Sequence, residues 1–147
     1  MVAESKIRPL TIADYDVLIR LWERAELAHK PKGRDRREKI EREIASNPHA
    51  FLGLFVDDRL VASVLVSFDG RKGWINRVAV DTDFRGRGYG VQMIAEAERV
   101  LRERFGAQII AALVEPGNEP SRRLFAKCGY ACWEGLYYFS KRDHPDV

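Results

Sequence analysis

A mixed α/β protein, with a central sheet of about six to seven strands covered by helices on both faces, is the fold class this sequence predicts. Three patterns carry the prediction. Apolar residues recur at helical spacing in two segments, Tyr15 to Ala25 and Ile94 to Phe105. Between them lies a run of β-formers broken by turn dipeptides, from Phe51 to Val80. The segment Gln108 to Val114 that follows is apolar almost throughout, as a strand central to a sheet has to be. At 147 residues, with 46% hydrophobic and 32% charged, the chain is expected to form one domain over 1–147 with a core that needs no metal or disulfide.

The elements follow in order. Lys6 to Leu10 reads as an opening strand. Thr11 can cap the next helix, with Asp14 three residues on, and Tyr15, Leu18, Ile19, Trp22 and Ala25 give that helix a buried face. The polar, basic stretch His29 to Arg37 holds the breakers Pro31 and Gly33. Asp35 with Glu38 can start a second helix, which runs to about Ser46 before Asn47-Pro48. Phe51 to Val56 and Leu60 to Val66 form a hairpin around Asp57-Asp58, and Asp69-Gly70 turns the chain into the strand Trp74 to Val80. After the loop Asp81 to Arg87, a helix spans about Gly88 to Phe105. Ile94, Ala97, Leu101 and Phe105 line its inner side, and Glu98/Arg102 and Arg99/Glu103 are spaced to pair on the other. A short helix from about Glu119 to Lys127 stops at Gly129. Tyr130 to Trp133 and Leu136 to Ser140 are expected to close the chain as strands around Glu134-Gly135.

Composition narrows the function classes. The opening MVAESKIRPL has no long apolar stretch, and the longest apolar runs are too short to cross a bilayer, so a cytoplasmic protein without membrane partners is expected. Cys128 and Cys132 have three residues between them and the histidines are scattered, which predicts reduced thiols and no metal site. The net charge of +3 and pI near 9.0 suit an anionic ligand without demanding nucleic acid, and no recognition-helix or aromatic-basic pattern supports nucleic-acid binding.

The segment that carries chemistry is Val78-Ala79-Val80-Asp81-Thr82-Asp83-Phe84-Arg85-Gly86-Arg87-Gly88-Tyr89-Gly90. A strand ends, a loop with alternating glycines follows, and a long helix begins. Helix N-termini leave N–H groups unpaired and carry partial positive charge; glycines let that backbone approach a phosphate, and Arg85 and Arg87 add full charges. The physics is that of a pyrophosphate cradle, and the same residues also suit a tight strand-to-helix turn. It is not the dinucleotide fingerprint, because Val91 stands where the third glycine belongs, and the P-loop pattern occurs nowhere. What is present is Arg85-x-x-Gly88-x-Gly90.

With its downstream residues, the chain resembles the GNAT superfamily of acyl-CoA-dependent N-acyltransferases, in particular small bacterial members similar to ribosomal-protein N-terminal acetyltransferases. The superfamily carries Q/R-x-x-G-x-G/A between its fourth strand and third helix, matched by Arg85, Gly88 and Gly90. A second signature, N-x-x-S/A-x-x-L/F-Y-x-K-x-G-F/Y, is matched by Asn118, Ser121, Leu124, Lys127, Gly129 and Tyr130, with Phe125 in place of the tyrosine. The resemblance covers nearly the whole chain and implies the GNAT fold, with acetyl-CoA as co-substrate and an amine as acceptor. It implies that the backbone from Arg85 through Gly86, Arg87, Gly88 and Tyr89 to Gly90 holds the CoA pyrophosphate. Val78, Ala79 and Val80 would pair with the pantetheine arm where the fourth and fifth strands part. Asn118 and Ser121 would hydrogen-bond the arm or its water, with Phe125 beside them. Lys127, Arg122 and Arg123 would lie near the adenosine phosphates. A homodimer is compatible with the resemblance.

The implied reaction is direct attack by the amine in a ternary complex, which needs a base for the ammonium proton and an acid for the departing thiolate. The family's usual acid is the tyrosine that Phe125 replaces. Tyr130, Tyr137 and Tyr138 are the phenols that remain, and Tyr138 on the expected last strand is the one placed to reach the gap. The family's glutamate positions fall on Leu113 and Trp74, so Glu115, or Asn76 holding a water, is left as the base, with Glu134 more remote. The acceptor is expected at the first two helices, their basic loop (Lys30, Lys32, Arg34, Arg36, Arg37) and the last hairpin. Similar small bacterial acetyltransferases carry a comparable Lys-Pro-Lys-Gly-Arg-Asp stretch and Gly-Trp-Ile-Asn-Arg strand. The competing reading is an acyl-CoA sensor that kept the cradle and lost the chemistry.

Overall fold

The computed structural model describes residues 4–147; residues 1–3, the start of the stretch read above for a leader, lie outside the described residues. Five strands form one sheet in the order β1 (Ser5–Pro9), β2 (Phe51–Val56), β3 (Arg59–Phe68), β4 (Gly73–Val80), β5 (Ile110–Ala111). The first four run antiparallel to their neighbours, and β5 pairs parallel to β4. The helices are α1 (Tyr15–Arg24), α2 (Arg37–Ser46), α3 (Tyr89–Phe105) and α4 (Glu119–Lys127).

The hairpin between β2 and β3 turns on Asp57 and Asp58, both at positive φ (48° and 65°), the backbone a two-residue hairpin loop requires and aspartate tolerates. β2 is buried along nearly its whole length because the sheet is covered twice. On one face α3 seats Met93, Ile94, Ala97, Val100 and Leu101 against Leu52, Leu54, Val64 and Ile75. On the other, Leu18, Leu21 and Trp22 of α1 and Ile40 of α2 meet Phe51, Leu60 and Ala79. Arg99 pairs with Glu96 and Glu103 as helical spacing predicts, but Glu98 turns to the Tyr130 hydroxyl rather than to Arg102. A phenol packed against the core offers it a partly buried donor, which an exposed arginine does not.

The sheet is smaller than expected. Gln108 to Val114 contributes only Ile110–Ala111 as strand, and neither Tyr130 to Trp133 nor Leu136 to Ser140 joins a ladder. Glu134-Gly135 does turn, with Gly135 at φ +93°, but its flanks stay unpaired: Trp133, Leu136, Tyr137, Tyr138 and Phe139 are 70–88% exposed. β-propensity marks residues that suit a strand; the strand itself needs an edge whose N–H and C=O groups it can satisfy, and a two-residue β5 offers little of one.

Candidate active site

The site is built where β4 runs out. Asp81, the first residue beyond the strand, is fully buried and ties the turn to the body of the protein. Its carboxylate accepts from the Asp83 N–H (3.0 Å), from Arg24 Nε (2.8 Å) and from Arg59 (3.2 Å), while its own N–H donates to the Val61 carbonyl (2.8 Å). Burial works against its charge, but the Asp83 amide and the two guanidinium groups outweigh burial and hold the pKa below the usual aspartate value. A carboxylate with a depressed folded pKa stabilises the fold above its unfolded pKa and loses that contribution as pH falls through the folded value. Urea unfolding midpoints are therefore expected to drop between pH 5 and pH 3, and to drop less in Asp81→Asn, which starts lower at neutral pH.

Beyond Asp81 the chain enters α3 through Gly86 and Gly88, at φ +78° and +83°. Gly88 caps the helix without any side chain, and the Gln92 N–H to Gly88 carbonyl bond (3.1 Å) opens the ladder, so among the described residues the amides before it have no partner. A Cβ at Gly88 would meet nothing within 4 Å, which leaves the outer side of the turn open. Gly90 is required for the opposite reason: a Cβ there would stand 2.9 Å from Leu124 Cδ2, where α4 packs against the first turn of α3. Open amides at a helix N-terminus with exposed Arg87 alongside fit a diphosphate. Arg85, also exposed, is engaged with the backbone. Its guanidinium donates to the carbonyls of Val80 (3.3 Å) and Ala25 (3.2 Å), bracing the turn against β4 and the end of α1.

β4 and β5 meet only at Gly73/Ile110 and Trp74/Ala111. From Ile75 onward β4 has no strand paired on that side, so the backbone of Val78, Ala79 and Val80 runs to the turn with no ladder partner there. On its other edge β4 is bulged against β3 around Arg77, whose φ is +53°. The bulge directs Arg77 toward α1, where its guanidinium lies 4.9 Å from the Trp22 ring centroid and forms an ion pair with buried Asp35. Asp35 also accepts from the Lys30 N–H (2.6 Å), and its carbonyl accepts from the Tyr15 hydroxyl (2.7 Å). The basic loop is thus pinned to β4 at the bulge. Nothing local in the sequence pairs Arg77; Asp35, expected to start the second helix, instead gives its carboxylate to Arg77 and the Lys30 amide, and α2 begins at Arg37.

The sequence and the fold are both shared with known proteins. Residues 15–130 match the family described as the acetyltransferase (GNAT) family. The chain belongs to it. An acetyltransferase of Pectobacterium atrosepticum is 32% identical over 125 residues, 85% of this chain and 86% of that one. An acetyltransferase of Sodalis glossinidius is 29% identical over 137 residues, covering 93% and 94%. The GNAT fold is matched by the aminoglycoside N-acetyltransferase AAC(6')-Iy in complex with CoA (TM-score 0.77, 20% identity, 97% of both chains). It is matched too by the PaiA N-acetyltransferase of Thermoplasma acidophilum in complex with coenzyme A (TM-score 0.75, 19% identity, 87% of this chain and 90% of that one).

In this GNAT enzyme the residues of the second signature have visible local roles. Asn118 caps α4, its side-chain oxygen accepting from the Ser121 N–H at 3.2 Å, with Ser121 half-buried and Lys127 exposed. Phe125 is 7% exposed and packs edge-to-face on Tyr130, ring centroids 5.1 Å apart. Tyr130 cannot easily act in its place: its hydroxyl donates to Glu98 (3.0 Å), and burial together with that carboxylate raises its pKa well above the ordinary phenol value. Asn76 is half-buried in β4 next to Arg77, Glu115 is exposed beyond β5, and Tyr138 lies beside Arg34 in the C-terminal segment. Among the described residues no hydrogen bond joins these three. Both cysteines are free thiols, and burial raises the pKa of Cys128, which is therefore not set up as a nucleophile. Among the described residues no helix is long and apolar enough to cross a membrane, and no group of acidic, His and Cys side chains is placed to hold a metal ion.

Proposed function

We propose that this GNAT enzyme moves the acetyl group of acetyl-CoA onto a primary amine of a small molecule, peptide or protein, by direct attack with both substrates bound. The single observation that carries the reading is the β4 edge left unpaired beyond Trp74, running to the unpaired amides of the Gly86–Gly90 turn. In the reaction the amine nitrogen forms a bond to the acetyl carbon, the carbon–sulfur bond breaks, the nitrogen loses a proton and the sulfur gains one.

In this reading the chain makes several contributions of its own. Backbone donors at the turn hold the diphosphate, and the free edge at Val78, Ala79 and Val80 lines up the pantetheine arm as an added strand would. Asn118 keeps its amide nitrogen for that arm while its oxygen caps α4. The acceptor enters from the α1 and α2 side, with Asn76 at the bulge to hold the water that carries its proton away. Glu115 is the nearest carboxylate beyond β5, and Tyr138 or solvent water supplies the proton to sulfur. A cytoplasmic location is part of this reading.

Thiol release from acetyl-CoA across a panel of amines tests the proposal; no release, with CoA still bound, would leave the sensor reading instead. Because the Phe125 ring is packed in the core rather than facing the gap, Phe125→Tyr is expected to leave kcat within about threefold. A rise of roughly a hundredfold, the size of a working general acid, would mean that this position reaches the leaving sulfur.

A further inference from the structure

Two open hollows adjoin on the face of the sheet that carries α1 and α2, and Arg34 lines both. The larger, about 420 Å³, lies between the basic loop and α2 and is bounded by Gly33, Arg34, Arg36, Lys39 and Glu43, with Val147 closing one end. The smaller, about 360 Å³, adds Tyr138, Lys141 and Arg142. Volumes of this size suit a small molecule rather than a folded protein surface.

The charges in the larger hollow are unevenly distributed and largely unspent. Arg34 and Lys39 have no ion-pair partner among the described residues, and Arg36 reaches only Glu38, at 4.0 Å. One lining side chain is a carboxylate, Glu43. It is half-buried, and among the described residues its side chain has neither hydrogen-bond nor ion-pair partner. Burial raises its pKa, and the nearby Asp35 adds to that while Arg77 opposes it, so Glu43 stands within electrostatic range of the β4 bulge. Asp35, the other carboxylate of this face, is already committed to Arg77 and the Lys30 amide. A ligand cation entering here therefore finds one free carboxylate, and a ligand anion finds several free cations.

The geometry points to an acceptor that carries both charges: a small primary amine bearing a carboxylate or phosphate group, its ammonium received by Glu43 and its anion by Arg34, Arg36 and Lys39. This rests on the acetyl-transfer reading above and narrows its acceptor. A cation-rich rim repels polyamines and aminoglycosides, which would bring several positive charges to a single carboxylate.

The test is steady-state acetylation by the full chain of matched pairs: β-alanine against β-alaninamide, O-phosphoethanolamine against ethanolamine, with spermidine and an aminoglycoside as polycations. The anionic member of at least one pair is expected to have a kcat/KM tenfold or more above its neutral partner and above both polycations, and which pair shows it distinguishes carboxylate from phosphate. Glu43→Gln is expected to raise the amine KM about tenfold with the acetyl-CoA KM unchanged, and Lys39→Glu to erase the preference for the anionic member. Turnover that favours neutral or polycationic amines, or a preference untouched by Lys39→Glu, overturns this inference and leaves acetyl transfer standing. Failure of every amine, with acetyl-CoA bound, overturns both.

Discussion

Gly88→Val is expected to weaken CoA binding about thirtyfold or more while leaving the protein folded. An L-residue in the left-handed region costs about 1–2 kcal/mol, and a β-branched one more, so the turn relieves the strain by rotating its amides away from the outward arrangement. About 2 kcal/mol of lost binding is a factor of roughly thirty in Kd. The fold should survive because a Cβ at this position meets nothing within 4 Å. Gly70→Val is the control: its φ is +94°, its Cβ would also meet nothing, and it sits in the turn between β3 and β4, away from the glycine turn. Isothermal titration with CoA on both variants separates the cases, since the control should bind like the parent chain.

Asp35→Ala should cost far more stability than a loop substitution ordinarily does. The Arg77 and Asp35 side chains are only 12% and 6% exposed, so removing the carboxylate strands a buried guanidinium; breaking such a pair costs about 3–5 kcal/mol. The Lys30 amide loses its acceptor as well, and the loop from Lys30 to Arg36 comes free of the β4 bulge. Urea unfolding should show the loss in the single variant and a partial recovery in Asp35→Ala/Arg77→Met, where no charge is left buried. A loss below about 1 kcal/mol would mean that solvent reaches Arg77 and the pin is weak.

The local rules and the long-range ones were not equally legible in the sequence. The hairpin at Asp57-Asp58, the helix from Glu119 to Lys127 and the buried stripe of α3 follow from signals within a few residues, and all three are present. The glycine turn was legible for the same reason, since φ and helix entry are local. What failed was pairing at a distance. Leu136 to Ser140 has strand composition, but composition carries no information about whether β5 leaves it an edge. The Arg77–Asp35 pair joins residues far apart in the chain through a β-bulge, and a bulge leaves no fixed mark in sequence. Glu43 differs from the exposed Glu38 and Glu41 of the same helix in lying three residues on from buried Ile40, and so on the inward side.

The claim on which the rest depends is that backbone donors at the entrance to α3 grip the diphosphate of CoA. Amide resonances of the 15N-labelled chain, followed while CoA is titrated in, test it most directly. The largest shifts should fall on Gly86, Gly88, Tyr89 and Gly90, with a second group along Val78 to Val80. Saturable CoA binding that leaves those amides where they were, and moves a separate set, would contradict the account.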